Sequence, residues 1–349
     1  MRVKKHILEN ALLKGNALSN DMSSDLRSHA NKGMQAHFPS ASRLVYGCMG
    51  LGGGWNNNPV TSDHINETHA IINKALELDI NVFDHADIYT FGKAEQAFGE
   101  VLKTSPTLRD KMIIQSKCAI RFEDDLGPKR YDFSAKWINT SVEGILSRLH
   151  IEQIDVLLLH RPDPLMELDE VAECVASLQQ QGKIKHIGVS NMNGHQIAYL
   201  QSALSTPIVA NQLEMSLGFR EWIEDGITTN STANRHVGYA SGTVEHCMLN
   251  NVQLQAWGSI AQGRYTGATT NSDTDKNTAE LVKRLASEYE TTPEAIVLGW
   301  LMRHPAKIQP VLGTTNLARL AACKEADNLT LSREHWYALV EAARGQEVP

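Results

Sequence analysis

The feature that most constrains this chain is a repeated alternation. Eight short segments readable as buried strands, at 44–47, 81–83, 112–116, 155–159, 186–189, 208–211, 253–256 and 309–312, are separated by stretches with helical spacing. Those stretches run over 63–78, 95–103, 134–149, 171–181, 196–203, 243–250 and 278–289. In the 134–149 stretch, Ile138, Val142, Ile145 and Leu149 fall on one face. Thr292 followed by Pro293 opens a further helix as a cap with proline at the first helical position. Eight strand–helix units with no internal linker predict an α/β fold, a single (β/α)8 TIM barrel.

Composition narrows the class. A chain of 349 residues, 42% hydrophobic and 21% charged, can bury one large core. Its net charge of -7 offers no cationic surface for nucleic acid or anionic lipid. Five scattered cysteines without a Cys-x-x-Cys pair fit a reducing compartment. No apolar run approaches a membrane span, and the mixed N-terminus does not resemble a leader. A cytoplasmic protein is expected, monomeric by default. Residues 1–38 are polar and poorly periodic and read as a flexible arm ahead of a barrel over 39–349. The alternative is that part of the arm plugs the barrel floor. The long polar stretch 226–242 follows the sixth strand and reads as an inserted loop, either mobile or functional.

Four polar residues, Asp84, Tyr89, Lys117 and His160, stand at or just beyond the ends of the second, third and fourth predicted strands. Loops that follow barrel strands open on one face, so these side chains converge. Singly, each has a structural reading: a helix cap, a packing tyrosine, a solvated lysine, a structural histidine. Together they form a tuned acid. Tyrosine ionises near pH 10, and an adjacent Lys117 ammonium is expected to lower that value, with Asp84 holding Lys117 charged and oriented. His160 can position a carbonyl oxygen, and Tyr89 can protonate it.

Such a set needs a source of electrons. The chain has no Gly-x-Ser-x-Gly elbow, and no histidine pair stands at metal-ligand spacing with a carboxylate. No metal is expected. A carbonyl acid at a barrel mouth points to hydride from a nicotinamide.

The segments Phe83-Asp-His-Ala-Asp-Ile-Tyr89 with Gly92-Lys-Ala-Glu95, Gly182-Lys-Ile-Lys-His-Ile-Gly-Val-Ser-Asn191, and Gly313-Thr-Thr-Asn-Leu-Ala-Arg319 resemble, in order, three signatures of the aldo-keto reductase family. The likeness spans roughly residues 43–340, and the segment around Tyr46 is most similar to the bacterial oxidoreductase branch. The resemblance implies an NADP-dependent reductase of small-molecule aldehydes or ketones. Asp84, Tyr89, Lys117 and His160 would be its catalytic tetrad, with Tyr89 as general acid. It places Ser190, Asn191 and Gln212 at the nicotinamide carboxamide, though a Ser-Asn pair is equally a helix cap. Trp257 would meet the nicotinamide face, although an isolated tryptophan is more often core. Cys48 and Met49 would border the cofactor after the first strand. Ser259, Gly263 and Arg264 would lie at the pyrophosphate, with Thr314 and Thr315 ahead of a helix N-terminus. Arg319 would contact the 2′-phosphate, against a plain solvated arginine.

Three departures from the family pattern stand out. Gly313 replaces a frequent lysine, Cys323 replaces an asparagine that meets adenine, and 226–242 is long. The first two bear on NADP against NAD, the third on the substrate pocket. A cofactor-sensing regulatory subunit of the same fold is the alternative function, and non-redox lyase or isomerase chemistry a third. The sequence does not encode the substrate.

Overall fold

The computed structural model describes residues 33–232 and 237–349. Its centre is a closed parallel barrel of β1 (Val45–Gly47), β2 (Val82–Asp84), β3 (Ile113–Cys118), β4 (Ile154–Leu159), β5 (Ile184–Ser190), β6 (Ile208–Glu214), β7 (Gln253–Trp257) and β8 (Gln309–Leu312). Each strand pairs with the next in sequence, and Val45 sits beside both Val82 and Val311 to close the ring. The eight expected strands are all present. The main differences are at ends: β6 runs on to Glu214 because inward-facing polar residues such as Gln212 continue the ladder without an apolar signal, and β5 starts at Ile184, which the exposed Lys185 cuts off from the apolar run.

The helices form for local reasons that the sequence carries. Ser134 accepts a hydrogen bond from the Trp137 amide to start Ala135–Leu149, whose Ile138, Val142, Ile145 and Leu149 are buried. Thr292 caps Pro293–Met302 through the Ala295 amide. That helix is buried from Ala295 to Met302 because the helices Asp273–Glu288 and Leu317–Lys324 and the turn Glu325–Asn328 pack around it, with Trp336 of a further helix, Arg333–Arg344, laid over Trp300. Trp300 and Trp336 stack there at 5.3 Å, each indole donating to the other's carbonyl. Such a helix, apolar on every side, is what a doubly covered position requires.

The two ends of the barrel differ. At the floor, the short helix Gly33–His37 and Phe38 lie beneath β6 and β7. Met34 is fully buried with Val45, Val82, Ile113, Val156, Leu158, Val209 and Val311. Most of the expected arm, residues 1–32, lies outside the described residues. At the other end the loops after the strands gather, including an antiparallel ribbon of Ile120–Arg121 with Arg130–Tyr131 after β3. Part of the stretch expected as a loop at 226–242 is structured. The helix Glu221–Ile227 runs into it, Thr228 is buried, and the Gly242 amide donates to Asp225.

Candidate active site

Asp84 ends β2, Lys117 lies one residue before the end of β3, and His160 follows β4 directly, so the parallel register alone brings them to one rim. Tyr89 returns to that rim through the turn after β2, where the Asp87 amide bonds the Lys117 carbonyl. Lys117 is wholly buried and donates all three of its protons: to Asp84 Oδ2 at 2.7 Å, to Tyr89 Oη at 2.9 Å and to the His85 carbonyl at 2.8 Å. The Tyr89 and His160 rings meet edge to face at 6.1 Å. The four predicted residues therefore form one cluster.

A chain of glutamines inside the barrel holds Asp84 from below. Gln115 and Gln212 each donate to Asp84 Oδ1, at 2.5 and 3.1 Å, and both donate to Gln255 Oε1. Gln255 donates to Gln309, which donates to the Ser42 carbonyl. Gln115 was not anticipated. It stands two residues before Lys117 on the same strand, and a period of two turns both side chains inward. That spacing was the signal available.

The electrostatics correct one expectation. Burial raises the Tyr89 phenol above its ordinary value; Lys117 pulls it down and Asp84 pushes it up, leaving a net rise. The predicted lowering by Lys117 exists, and desolvation exceeds it. Burial alone would lower Lys117, but Asp84 and Tyr89 more than offset this and raise it. Burial, with Lys117 next, lowers His160 to about 2, so its imidazole is neutral. Behind the cluster, the buried Glu95 carboxylate is held by Ser116 Oγ at 2.6 Å and Arg148 Nε at 2.8 Å. Burial, then the Glu95 charge, raises nearby Asp87 to about 7.

The residues expected to hold a nicotinamide nucleotide occupy the far half of the same rim. Asn191 has φ +59°, and its amide donates to the His160 carbonyl and Ser190 Oγ while accepting from Trp257 Nε1 at 3.2 Å. Ser190 donates to the Gln212 carbonyl, and the Gln212 amide points at Asp84. A part-exposed indole thus stands beside an oriented amide, a surface that suits a flat carboxamide-bearing ring. Ser259 is buried and donates to the Val311 carbonyl. Gly258, Ala261, Gln262 and Gly263 all have positive φ, so the backbone after β7 coils tightly before Arg264. Arg264 lies 3.8 Å from Asp275 and Arg319 3.3 Å from Glu294, both guanidinium groups remaining close to half exposed.

Thr314 and Thr315 precede the helix Leu317–Lys324, capped by Asn316 on the Arg319 amide, and the Thr314 carbonyl accepts from Tyr46 Oη. Cys48 is buried and Met49 exposed in the turn after β1. Cys323 is fully buried, and burial pushes its thiol up to about 12, so it serves the core. A side chain at Gly313 would meet open space within 4 Å. An oriented amide beside an indole and two part-exposed guanidinium groups make a lining that would suit a dinucleotide.

A cavity of about 360 Å³ adjoins Asn191 and Trp257 and is walled by Arg161, Glu214, Phe219 and Tyr239. A larger cleft of about 860 Å³ opens at the opposite rim, between Asn81, Met112, Gln153 and Asp155, away from the tetrad. Among the described residues, no group of three His, Cys, Asp or Glu side chains could hold a metal, and no helix is long and apolar enough to cross a membrane.

Residues 43–344 match the model of the Aldo/keto reductase family. The chain is 35% identical to 6-dehydroglucose reductase of Agrobacterium fabrum over 316 residues, covering 88% of this chain and 96% of that protein. It is 34% identical to the oxidoreductase YdhF of Escherichia coli, covering 89% and 96%. Among solved structures, a glycerol dehydrogenase from Gluconobacter oxydans superposes with a TM-score of 0.73 at 22% identity, covering 88% of this chain and 94% of its own. This last likeness concerns the fold.

Proposed function

Because the chain belongs to the aldo/keto reductase family, we propose that this oxidoreductase reduces an aldehyde or ketone with NADPH, and that Tyr89 is the acid. The observation that carries the reading is Lys117, whose ammonium bridges Asp84 and Tyr89 at 2.7 and 2.9 Å in a fully buried position. The reduced nicotinamide, when bound, supplies hydride to the carbonyl carbon.

The chain's own residues manage the oxygen. Tyr89 donates its phenolic proton to the carbonyl oxygen as negative charge develops there. Lys117 then stabilises the phenolate left behind, and Asp84 fixes Lys117 by compensating its charge. Neutral His160 offers a ring N–H to the same oxygen and orients it. Ser190, Asn191 and Gln212 would hold the carboxamide, Trp257 would offer the ring a flat contact, and Cys48 and Met49 would border it. Ser259, Gly263 and Arg264 would hold the pyrophosphate, Thr314 and Thr315 would offer an anion the helix N-terminus ahead of Arg319, and Arg319 would meet the 2′-phosphate, which favours NADP over NAD. Gly313, which has no side chain to offer, would leave that contact to Arg319. The five cysteines are free and buried, which supports a cytoplasmic setting.

The test is NADPH oxidation by the purified protein with a panel of reactive aldehydes and ketones, wild type against Tyr89→Phe. The variant should lose about 10²-fold or more in kcat while quenching of Trp257 by NADPH persists. Wild-type turnover by Tyr89→Phe would remove Tyr89 from the role.

A further inference from the structure

We propose that Trp55, Phe91 and Phe122 form a preassembled aromatic wall at the mouth, selecting carbonyl compounds that carry an aromatic or extended apolar group; this rests on the carbonyl-reductase reading. The three rings come from the loops after β1, β2 and β3 and make one row. Trp55 meets Phe91 edge-on at 5.4 Å, and Phe91 meets Phe122 at 5.4 Å. All three stay exposed, at 48%, 49% and 36%. Leaving three large rings in water forfeits burial free energy, and a contiguous apolar patch of this kind marks a contact surface.

The row is built and braced. Thr90 and Phe91 both adopt left-handed backbone, at φ +47° and +59°. That conformation is costly for a β-branched residue and an aromatic one, and such strain gathers at ligand clamps. The buried Lys93 ammonium donates to the Gly54 carbonyl at 2.8 Å and to Asn56 Oδ1 at 3.0 Å, the residues on either side of Trp55. Thr90 Oγ1 donates to the Leu51 carbonyl in the same loop. The strained turn that presents Phe91 is therefore tied to the loop that presents Trp55. Next to Phe122, Arg121 is pinned by Asp124 and Asp132 and lies over the Trp137 ring at 4.3 Å. Rings fixed in advance lose little freedom when a ligand arrives. Phe91 is two residues from Tyr89 and all three rings stand on loops that follow strands, on the rim that carries the acid, which favours a substrate over a protein partner as their occupant.

The test compares para-nitrobenzaldehyde with D-glyceraldehyde, using the full chain and NADPH. Phe91→Gly accepts the left-handed backbone, and Trp55→Ala attacks the wall from a second loop. Each should raise KM for nitrobenzaldehyde about tenfold, the scale of a lost aromatic contact with its burial. KM for glyceraldehyde should stay within about twofold, NADPH affinity should hold, and Phe91→Tyr should behave as wild type. Equal shifts for both substrates, or none, would overturn the proposal. So would a wild-type dimer split by Trp55→Ala with KM unchanged, which would make the row a protein interface. If the wild type reduces no carbonyl, the functional reading fails separately. Binding of para-nitrobenzyl alcohol to the NADPH-bound protein then decides the wall, by a loss of about tenfold in Phe91→Gly or by none.

Discussion

The Lys117 ammonium lies 2.9 Å from the Tyr89 hydroxyl and 4.7 Å from the centre of the same ring. One cation therefore holds the phenol by its oxygen and by its π face, and it does so with no access to water. Lys117→Met should abolish this hold and strand the Asp84 carboxylate. We expect kcat to fall at least about 10²-fold and stability to fall by about 3–5 kcal/mol, the cost of breaking a buried pair. Steady-state rates and urea unfolding check both. A variant with unchanged urea midpoint would show that Gln115 and Gln212 satisfy Asp84 on their own.

The direction of the Tyr89 shift fixes a pH profile. A proton donor whose pKa is raised stays protonated further into the alkaline range, and His160, lowered to about 2, stays neutral in mild acid. The reductive kcat should therefore be level from about pH 5 to pH 9 and fall only as pH rises past the ordinary phenol range near 10. Stopped-flow rates across that span test this. A descending limb centred near neutrality would contradict the raised value.

His85 makes a stability prediction. Its ring is fully buried edge-on to Phe98 at 4.5 Å, and neither ring nitrogen meets a partner among the described residues. Burial lowers it from 6.5 to about 3. A depressed histidine stabilises the fold above its unfolded value and loses that stability as pH falls from 6.5 toward 3, at about 1.4 kcal/mol per pH unit. His85→Leu should remove this slope, leaving unfolding midpoints at pH 7 and pH 5 closer together than in wild type. At neutral pH it should cost little, since two unsatisfied nitrogens go with the ring. An unchanged pH dependence would assign the acid sensitivity elsewhere.

Cofactor choice can be strengthened at Gly313. A Cβ there meets nothing within 4 Å, so Gly313→Lys should fold normally and add an ammonium beside Arg319. We expect the ratio of NADH to NADPH dissociation constants to rise about tenfold, one charge-assisted contact. Arg319→Ala should lower it by a similar factor. Equal affinities for both nucleotides in the wild type would contradict an NADP preference.

The barrel was legible because its period is coarse. Eight strands separated by helices survive errors of a residue or two at each end, as at β5 and β6. The convergence of Asp84, Lys117 and His160 was legible because they interrupt or end apolar strands, and the parallel register converts those positions into one rim. What stayed hidden depends on side-chain paths. Gln212 reads as a carboxamide ligand, and the further bond its amide gives to Asp84 had no signal in the spacing. The balance between burial and Lys117 at Tyr89 needs a depth that no spacing reports. Trp55, Phe91 and Phe122 lie in loops with no periodicity, and only the left-handed turn at Thr90 and Phe91 brings them into a row.

The short helix beneath the barrel changes where the folding unit begins. Residues 43–344 carry the family match, and a truncated chain starting at Arg43 would look complete by homology. It would nonetheless leave Val45, Val82, Val156 and Val311 open to solvent in place of Met34 and Phe38. For anyone trimming this protein, the segment 33–42 is a plug under a hydrophobic shaft, and its removal would leave a sticky apolar face where the native chain has none.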